Sequence, residues 1–271
     1  MTTNPKRQPA IFLPHGGGPC FFMDWTWGSA DTWNATQHFL EGLAATLPEQ
    51  PKAIVVISGH WEEPAFTASA SPAPQLIFDY TGFPEHTYRL TWPAPGDSEL
   101  ASRIAGLLSQ ARLPAATSPD RGFDHGVFVP MKVAFPEASI PVVTLSLVSS
   151  LDPALHLAAG RALAPLRDEG ILLVASGMSF HNLRAYLRPE TLQRSRDFDE
   201  WLTRAVESPA PERDAWLKAW RSAPSAVFSH PREEHLAPLF VAAGAGGSAP
   251  GKRIFNDEPM GAAISAYRFD G

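Results

Sequence analysis

The sequence contains almost no cysteine, since Cys20 is the only one among 271 residues. A single thiol can form neither an internal disulfide nor a zinc–thiolate cluster, so any metal must be held by nitrogen and oxygen ligands. Basic residues are in the minority, with 22 Lys and Arg against 28 Asp and Glu and a formal net charge of −6. This balance provides no broad basic surface for counterion release, so nucleic acid is not an expected partner.

Long hydrophobic runs are missing as well. No segment approaches the ~20 apolar residues that a membrane-spanning helix needs. Residues 1–8 are polar and lack the apolar core of a secretion signal. We therefore expect no membrane partner and a cytoplasmic location, for a protein that is either a monomer or a homodimer.

The composition is that of one folded domain. Hydrophobic residues make up 44% of the chain and charged residues 18%, which is enough to bury a large core. There is no internal repeat, and the glycine-rich stretch 244–251 lies too late in the chain to divide two domains. We predict one catalytic domain over residues 1–271.

Short apolar runs predict the strands. Runs rich in β-branched residues and without polar alternation are typical of strands that are buried on both faces of a parallel sheet. The predicted strands are 10–14, 53–57, 141–147, 171–175 and, last in the chain, 263–269.

Helices are predicted where apolar residues recur at spacings of three, four and seven. Asp31 is the predicted cap of the first helix, and Asp152 caps a later helix in which Pro153 takes the first position. The other predicted helices span 98–110, 189–206, 210–220 and 233–243. Strands that alternate with helices predict an α/β fold, a single domain with a central, mostly parallel twisted sheet flanked by helices.

Three histidines closely follow predicted strands, namely His15, His60 and His181. In open α/β sheets, ligands bind beyond the carboxyl ends of the strands. Each of these histidines has glycine or serine nearby, which lets other groups approach. A single histidine after a strand is as often a structural turn residue as a site residue. Three histidines at equivalent positions predict a shared site.

Two more histidines are candidates for the same site. His125 lies in a predicted loop at 121–126, and His235 lies near the start of the helix predicted at 233–243. The remaining histidines are assigned structural or surface roles: His38, His86, His156 and His230.

Two groups of residues beside these histidines are candidates for the walls of a pocket. The first group follows the glycine-rich loop after His15: Phe22, Trp25 and Trp27. The second group lies in a proline-rich stretch that we expect to cover the pocket: Tyr80, Thr81, Glu85 and Tyr88.

Six motifs are spread over nearly the whole chain. They are LPHGGGP at 13–19, SGHWEEP at 58–64, FDYTGFPEHTYRLTWPAPG at 78–96, GFDHGVFVPM at 122–131, SGMSFHNL at 176–183 and HPREEHLAPL at 230–239. These motifs and their order along the chain resemble those of the class III extradiol ring-cleavage dioxygenases, in the DOPA 4,5-dioxygenase-like branch. The resemblance implies an α/β sandwich that opens the ring of a small-molecule catechol with O2.

The resemblance also implies a role for each of five histidines. His15, His60 and His235 would hold a mononuclear non-haem metal. His181 would be the acid/base residue, and His125 would lie beside the dioxygen and substrate sites.

One position departs from better-known relatives such as protocatechuate 4,5-dioxygenase, in which a carboxylate completes a set with two histidines. The matching position here is His235, and the neighbouring Glu234 is the rival ligand. Because successive helical residues point about 100° apart, we expect only one of the two to face the metal.

The expected ligands do not choose the metal by themselves. A facial set of protein ligands leaves positions on Fe(II) for substrate and dioxygen, but three histidines also bind Zn(II) in hydratases. We expect Fe(II), with Zn(II) as the alternative. The competing hypothesis is a zinc-dependent hydrolase on the same fold, in which the metal activates water; a non-catalytic binding protein would have no need of five convergent histidines.

The expected reaction begins with removal of a proton from the catechol. An imidazole ordinarily titrates near pH ~6.5, so it can accept this proton at neutral pH and return it later. We expect His181 in this role. A protonated His125 would stabilise the negative charge that develops during the reaction.

Overall fold

The computed structural model describes residues 5–271, and one eight-stranded sheet runs through them. The strands are β1 (Ala10–Pro14), β2 (Ala53–Glu63), β3 (Phe66–Ser69), β4 (Ala115–Ser118), β5 (Val142–Val148), β6 (Ile171–Gly177), β7 (Lys252–Asp257) and β8 (Ile264–Phe269). Their spatial order is β4-β3-β5-β2-β6-β1-β8-β7. The four central strands β5, β2, β6 and β1 are parallel, while β3 pairs antiparallel with β5 and β8 with β1 and β7.

Helices cover both faces of this sheet. Within the described residues they are α1 (Asn34–Gly42), α2 (Ser98–Gln110), α3 (His125–Ala134), α4 (Pro153–Leu163), α5 (Pro165–Asp168), α6 (Thr191–Glu207), α7 (Ala210–Lys218), α8 (Ala226–Ser229) and α9 (Ala237–Ala245). Apolar residues of α1 and α3 pack on one face, and those of α2, α4, α6, α7 and α9 pack on the other. None of these helices is long and apolar enough to cross a membrane.

Strand β2 shows why the apolar runs predict buried strands. Successive side chains of a strand point to opposite faces. Ile54 and Val56 therefore join the core on the side of α1 and α3, while Val55 and Ile57 join the core on the opposite side. Both faces are covered, so the strand contains no polar alternation and the prediction of a mostly parallel α/β sheet is confirmed. That the domain extends over all of residues 1–271 stays a prediction.

Several element boundaries differ from those predicted. The strand predicted at 53–57 continues to Glu63, with a register shift between Ile57 and Glu62. The expected loop around His125 is the start of α3. The first helix begins at Asn34 without a side-chain cap, so Asp31 is not its cap, whereas Asp152 Oδ1 does accept a hydrogen bond from Ala154 N at 2.8 Å.

Candidate active site

The register of the central strands brings the carboxyl ends of β1, β2 and β6 to one place. Pro14 is paired with Gly177, and Ser58 is paired with Ser176. His15 follows the end of β1, and His60 lies two residues beyond Ser58 within the extended β2. The sheet edge predicted from the sequence therefore carries both side chains.

Three imidazoles meet at this edge: His15, His60 and His235, which we call the central triad. His60 Nε2 lies 3.2 Å from His15 Nε2 and 3.2 Å from His235 Nε2. Each of the three residues contributes one nitrogen to a group whose atoms lie within 4.8 Å of one another. The structure thus brings together the residues that the resemblance assigned to the metal.

The opposite nitrogen of two triad rings is held by the protein. His15 Nδ1 lies 3.1 Å from Ser176 Oγ, and this hydroxyl donates its own hydrogen to the Gly126 carbonyl. His15 Nδ1 must therefore be the donor, which leaves the Nε2 lone pair directed at the triad. His235 Nδ1 likewise donates to Glu234 Oε1 at 3.0 Å, so its Nε2 also presents a lone pair.

This donor set fits a divalent metal. Nitrogen ligands bound at ~2.1 Å to one ion lie roughly 3.0–3.4 Å apart, and His60 Nε2 lies 3.2 Å from each of its two neighbours. Without an ion, His60 Nε2 can donate a hydrogen to only one of its two neighbours. A bound cation satisfies all three lone pairs at once.

His235 does not lie on a helix, contrary to the prediction. Helix α9 begins at Ala237, because Pro238 lacks an N–H and fits only the first turn. His235 lies in the preceding turn, where Met178 N donates to its carbonyl at 3.0 Å. A Cβ atom on Gly177 would lie 2.2 Å from the same carbonyl, so this approach requires glycine.

Two carboxylates, Asp79 and Glu234, each connect a triad histidine to a histidine outside the triad; we call them the flanking carboxylates. Asp79 Oδ1 accepts from His125 Nδ1 at 2.8 Å, and its Oδ2 lies 3.6 Å from His60 Nδ1. Glu234 Oε1 lies 3.0 Å from His235 Nδ1 and 3.2 Å from His181 Nδ1. Glu234, the predicted rival ligand, thus contacts His235 at Nδ1, whereas Nε2 of this ring faces the triad.

The sequence reasoning missed Asp79. It lies in the motif at 78–96, in which other residues, such as Tyr80, Glu85 and Tyr88, were predicted to cover the pocket. Its carboxylate, directly before Tyr80, was the available signal, because histidines that bind metals ordinarily donate their second N–H to such a group.

Burial and mutual proximity keep the triad imidazoles neutral. Burial, followed by the neighbouring imidazoles, lowers the pKa of His15 and His235 well below its ordinary value. Burial and then His125 lower the pKa of His60 to about 3, although Asp79 opposes the change. A metal requires deprotonated ligands, so these rings are ready to bind one near neutral pH.

The flanking carboxylates are ionised for a different reason. Burial is the largest single influence on Asp79 and raises its pKa, but the hydrogen bonds from His125 and the charges of His125 and His60 together outweigh burial, and the pKa falls to about 2. Burial also raises the pKa of Glu234, but its hydrogen bonds, above all the one from His181, and the nearby charges together lower it below its ordinary value. Each carboxylate therefore favours an N–H on the side of the histidine that faces it.

Helix α3 positions His125. His125 is its first residue, and the preceding Asp124 is fully buried. Asp124 Oδ1 accepts from Ser58 Oγ at 2.7 Å and Oδ2 accepts from Arg121 Nη2 at 2.7 Å, which ties the start of α3 to β2. His125 N also donates to Asp79 Oδ1 at 2.9 Å, so both its backbone and its ring are fixed.

A cavity of about 550 Å³ opens beside all five candidate histidines. Its other walls are largely aromatic and apolar, and they include Trp25, Trp27 and Tyr80 as expected. Phe22 is not among the lining residues, and Lys132 Nζ lies 5.7 Å from the centroid of its ring.

The proline-rich stretch contributes unequally to the cavity. Tyr80 lines it and donates from its hydroxyl to Thr87 O at 2.7 Å. Tyr88 packs behind Tyr80, with ring centroids 5.2 Å apart. Glu85 is exposed and pairs with Arg89, so it takes no part in the cavity.

The remaining histidines lie outside this cluster. His38 and His86 are exposed, and each bonds to a nearby carbonyl. His156 and His230 are buried, and they bond to the backbone through Asp152 O and Ser179 O. None of the four lines the cavity.

A mostly parallel α/β sheet with convergent imidazoles beside a deep apolar cavity is the arrangement of a metal-dependent enzyme that acts on a small molecule. Comparison with known proteins makes the class specific. The chain matches the family model of the catalytic LigB subunit of aromatic ring-opening dioxygenase over residues 9–269.

Individual relatives agree with this match. The chain is 38% identical over 286 residues to dioxygenase tasH of Hapsidospora irregularis, covering 100% of this chain and 88% of that protein. It is 36% identical over 275 residues to the 4,5-DOPA dioxygenase extradiol of Beta vulgaris, covering 99% of each. The crystal structure of an uncharacterized protein from Escherichia coli K12 is similar with a TM-score of 0.77 and 32% identity, covering 97% of this chain and 100% of that one.

The chain belongs to the LigB family, in the DOPA dioxygenase-like branch of the class III extradiol dioxygenases. It is a metal-dependent, extradiol ring-cleaving dioxygenase. These matches do not favour the zinc-hydrolase hypothesis.

Proposed function

We propose that this enzyme cleaves a catechol beside its two hydroxyls, with the metal held by the central triad of His15, His60 and His235. The observation that carries the proposal is that His60 Nε2 lies 3.2 Å from both His15 Nε2 and His235 Nε2, while Nδ1 of His15 and of His235 is bonded to the protein. Fe(II) is our proposed metal, and Zn(II) is the alternative. When bound, the metal supplies adjacent coordination positions for the catechol oxygens and for O2.

His181 is our proposed acid/base residue. Its ring stacks on the His235 ring with centroids 3.4 Å apart and planes 18° apart, so it lies next to the triad without belonging to it. Because Nδ1 faces Glu234, its Nε2 is free to meet a substrate hydroxyl in the cavity. About 21% of the side chain is exposed, which allows the ring to exchange its proton with solvent.

His125 is our proposed partner for the developing negative charge. Its ring centroid lies 3.9 Å from that of His60 and 5.6 Å from that of His15, so it borders the triad at His60, whereas His181 borders it at His235. Asp79 holds the proton on Nδ1. A second proton, on Nε2, would then point toward the cavity, where it can donate to an oxygen atom.

The proposed substrates are a small catechol and O2. Several relatives are named 4,5-DOPA dioxygenase extradiol, and DOPA is a catechol. A cavity of about 550 Å³ has room for one substituted aromatic ring.

The test is reconstitution of the metal-free protein with Fe(II) or Zn(II) under anaerobic conditions, followed by addition of O2 and a panel of catechols including DOPA, caffeate, protocatechuate and gallate. We expect consumption of one O2 per catechol and yellow ring-opened products with Fe(II). Turnover that depends on Zn(II) and proceeds without O2 would instead establish the hydrolase.

A further inference from the structure

We propose that His230 is a positioning residue, which holds the segment that carries His181 against the segment that carries His235 and so fixes the proposed acid/base group beside the metal site. This inference rests on the proposed function, because it concerns the catalytic group of that same site. His230 does not line the cavity itself, so it acts through the chain segments that it joins.

Two segments that carry site histidines run side by side. Residues 178–182, which we call the acid/base segment, follow β6, and residues 228–235, which we call the ligand segment, run from the end of α8 to His235. Met178 N donates to His235 O and His181 N donates to Ser229 O, each at 3.0 Å. The two segments therefore pair in antiparallel directions, and the place of His181 depends on this pairing.

Two side chains add hydrogen bonds between the same segments. His230 Nε2 donates to Ser179 O at 2.9 Å, and Asn182 Nδ2 donates to Phe228 O at 2.7 Å. Along the acid/base segment, the carbonyl that His230 holds lies between the two backbone contacts. Because this carbonyl belongs to the residue two positions before His181, its loss would free the chain directly in front of the acid/base residue.

The surroundings of His230 make its one bond important. The ring is fully buried, and its centroid lies 5.4 Å from that of Phe198 and 6.0 Å from that of Trp220. Within residues 5–271 its Nδ1 has no hydrogen-bond partner, and burial lowers the pKa of His230 to about 4. The neutral ring thus carries its hydrogen on Nε2, where the Ser179 carbonyl accepts it. Losing this bond leaves a buried carbonyl without its partner.

The pairing matters for catalysis because the two site histidines meet closely. The rings of His181 and His235 stack with centroids 3.4 Å apart, and Glu234 Oε1 lies within 3.2 Å of Nδ1 of both rings. A displacement of about 1 Å in a catalytic group can slow a reaction roughly 100-fold. His235 keeps its own bond from Met178 N when His230 is replaced, so the metal should remain bound.

The experiment replaces His230 with a residue that cannot donate and with one that can. In His230→Leu we expect kcat of the Fe(II) enzyme to fall by about 10-fold to 100-fold, while KM and Fe(II) content stay within about twofold of wild type. His230→Gln places an amide N–H near the position of the imidazole Nε2, and it should bring kcat to within about threefold of wild type. Wild-type kcat in His230→Leu, or equally low kcat in both variants, would overturn the inference.

The matched control is His156→Leu, since His156 is also fully buried and bonded to the backbone, through Asp152 O and Val148 N. We expect its kcat to stay within about twofold of wild type. An equal fall in this control would mean that loss of any core histidine slows the enzyme, which would overturn the inference.

Asn182→Ala keeps the inference testable if His230→Leu does not fold, because Asn182 is only half-buried. This variant removes the bond to Phe228 O at the other end of the pairing. We expect kcat to fall by about threefold to tenfold with the metal retained. Unchanged kcat in Asn182→Ala would contradict the dependence of His181 on the pairing.

A second measurement is independent of turnover. Hydrogen–deuterium exchange of the Fe(II)-loaded protein, followed by mass spectrometry, reports on the bond from His181 N to Ser229 O. In His230→Leu, residues 178–182 should exchange at least about fivefold faster than in wild type, while residues 53–57 of β2 exchange as before. If the wild-type enzyme cleaves no catechol, the proposed function fails, yet this comparison still decides whether His230 holds the acid/base segment. Exchange at the wild-type rate overturns the inference.

Discussion

Buried histidines occur in two regions of this protein, and their nitrogen partners differ. In the core, His156 Nδ1 donates to Asp152 O at 2.8 Å and its Nε2 accepts from Val148 N at 3.3 Å. In the central triad, His15 and His235 have one nitrogen held by the protein and the other directed at neighbouring imidazoles. Burial lowers the pKa in both regions. Burial therefore does not set the two regions apart, whereas the presence of an imidazole nitrogen that faces other imidazoles does.

The largest expected difference between these regions is in metal binding. His60→Ala removes the nitrogen that approaches both other triad members, so we expect loss of stoichiometric Fe(II) and a fall in kcat/KM of more than about 1,000-fold. His156→Gln should keep the metal and most of the activity. Metal analysis of both purified variants checks this prediction. Equal metal loss in the two variants would contradict a specific role of the triad in metal binding.

His181→Ala is expected to separate catalysis from metal binding. The variant should keep Fe(II) near the wild-type level, because His181 contacts the triad only by stacking on His235. Its kcat should fall by about 100-fold to 10,000-fold, which is the usual contribution of a positioned acid/base residue. Full activity in this variant would refute the assignment, and loss of metal would place His181 among the ligands.

A smaller effect is expected from the flanking carboxylate Glu234. Glu234→Gln removes the charge that orients His235 and His181, so Fe(II) affinity should fall by about 10-fold to 100-fold. Glu62→Gln is the matched control, because Glu62 pairs with Arg232, which also approaches Glu234, but forms no bond to the site histidines. Competition with a chelator measures the affinities. The same loss in both variants would mean that the arginine pairing, and not orientation of the rings, is responsible.

The smallest effect is a pH dependence of stability that His156 contributes. Burial lowers the pKa of His156 in the folded protein, so below pH ~6.5 the unfolded chain binds a proton that the folded protein does not. Stability should therefore decline as pH falls below this value, by at most about 1.4 kcal/mol per pH unit from this residue. Urea unfolding from pH 7.5 to 5 should show a shallower decline for His156→Gln than for wild type. Parallel curves would contradict the assignment of a neutral core histidine.

The fold was predictable where a strand buried on both faces carries a continuous apolar run. Strand β3 is buried but its sequence, FTAS, has no such run, and it was missed. Strand β1 was predicted with its observed bounds, and β5 and β6 to within a few residues, because helices cover both sides of them. The edge strands β4 and β7 were missed, since their side chains are largely exposed or half-buried and carry no continuous apolar run. Helix α3 was missed because it is apolar nearly all round and contains Pro130.

The site was predictable only in part. His15, His60 and His181 were found from their places after strands, and the structure brings them to one cavity with His125 and His235. Glu234 and Asp79 could not be assigned from spacing, because their roles depend on which nitrogen of a neighbouring ring they contact. Such side-chain orientations arise from tertiary packing, and no repeating pattern in the sequence predicts them.

The most direct test is the anomalous scattering of iron in a crystal of the Fe(II)-loaded enzyme grown without oxygen. Within residues 5–271, three groups of side chains could hold an ion: the central triad, His60 with Asp79 and His125, and His181 with Glu234 and His235. We predict a single iron peak within bonding distance of Nε2 of His15, His60 and His235. A peak coordinated by Asp79 or by Glu234 would contradict the account.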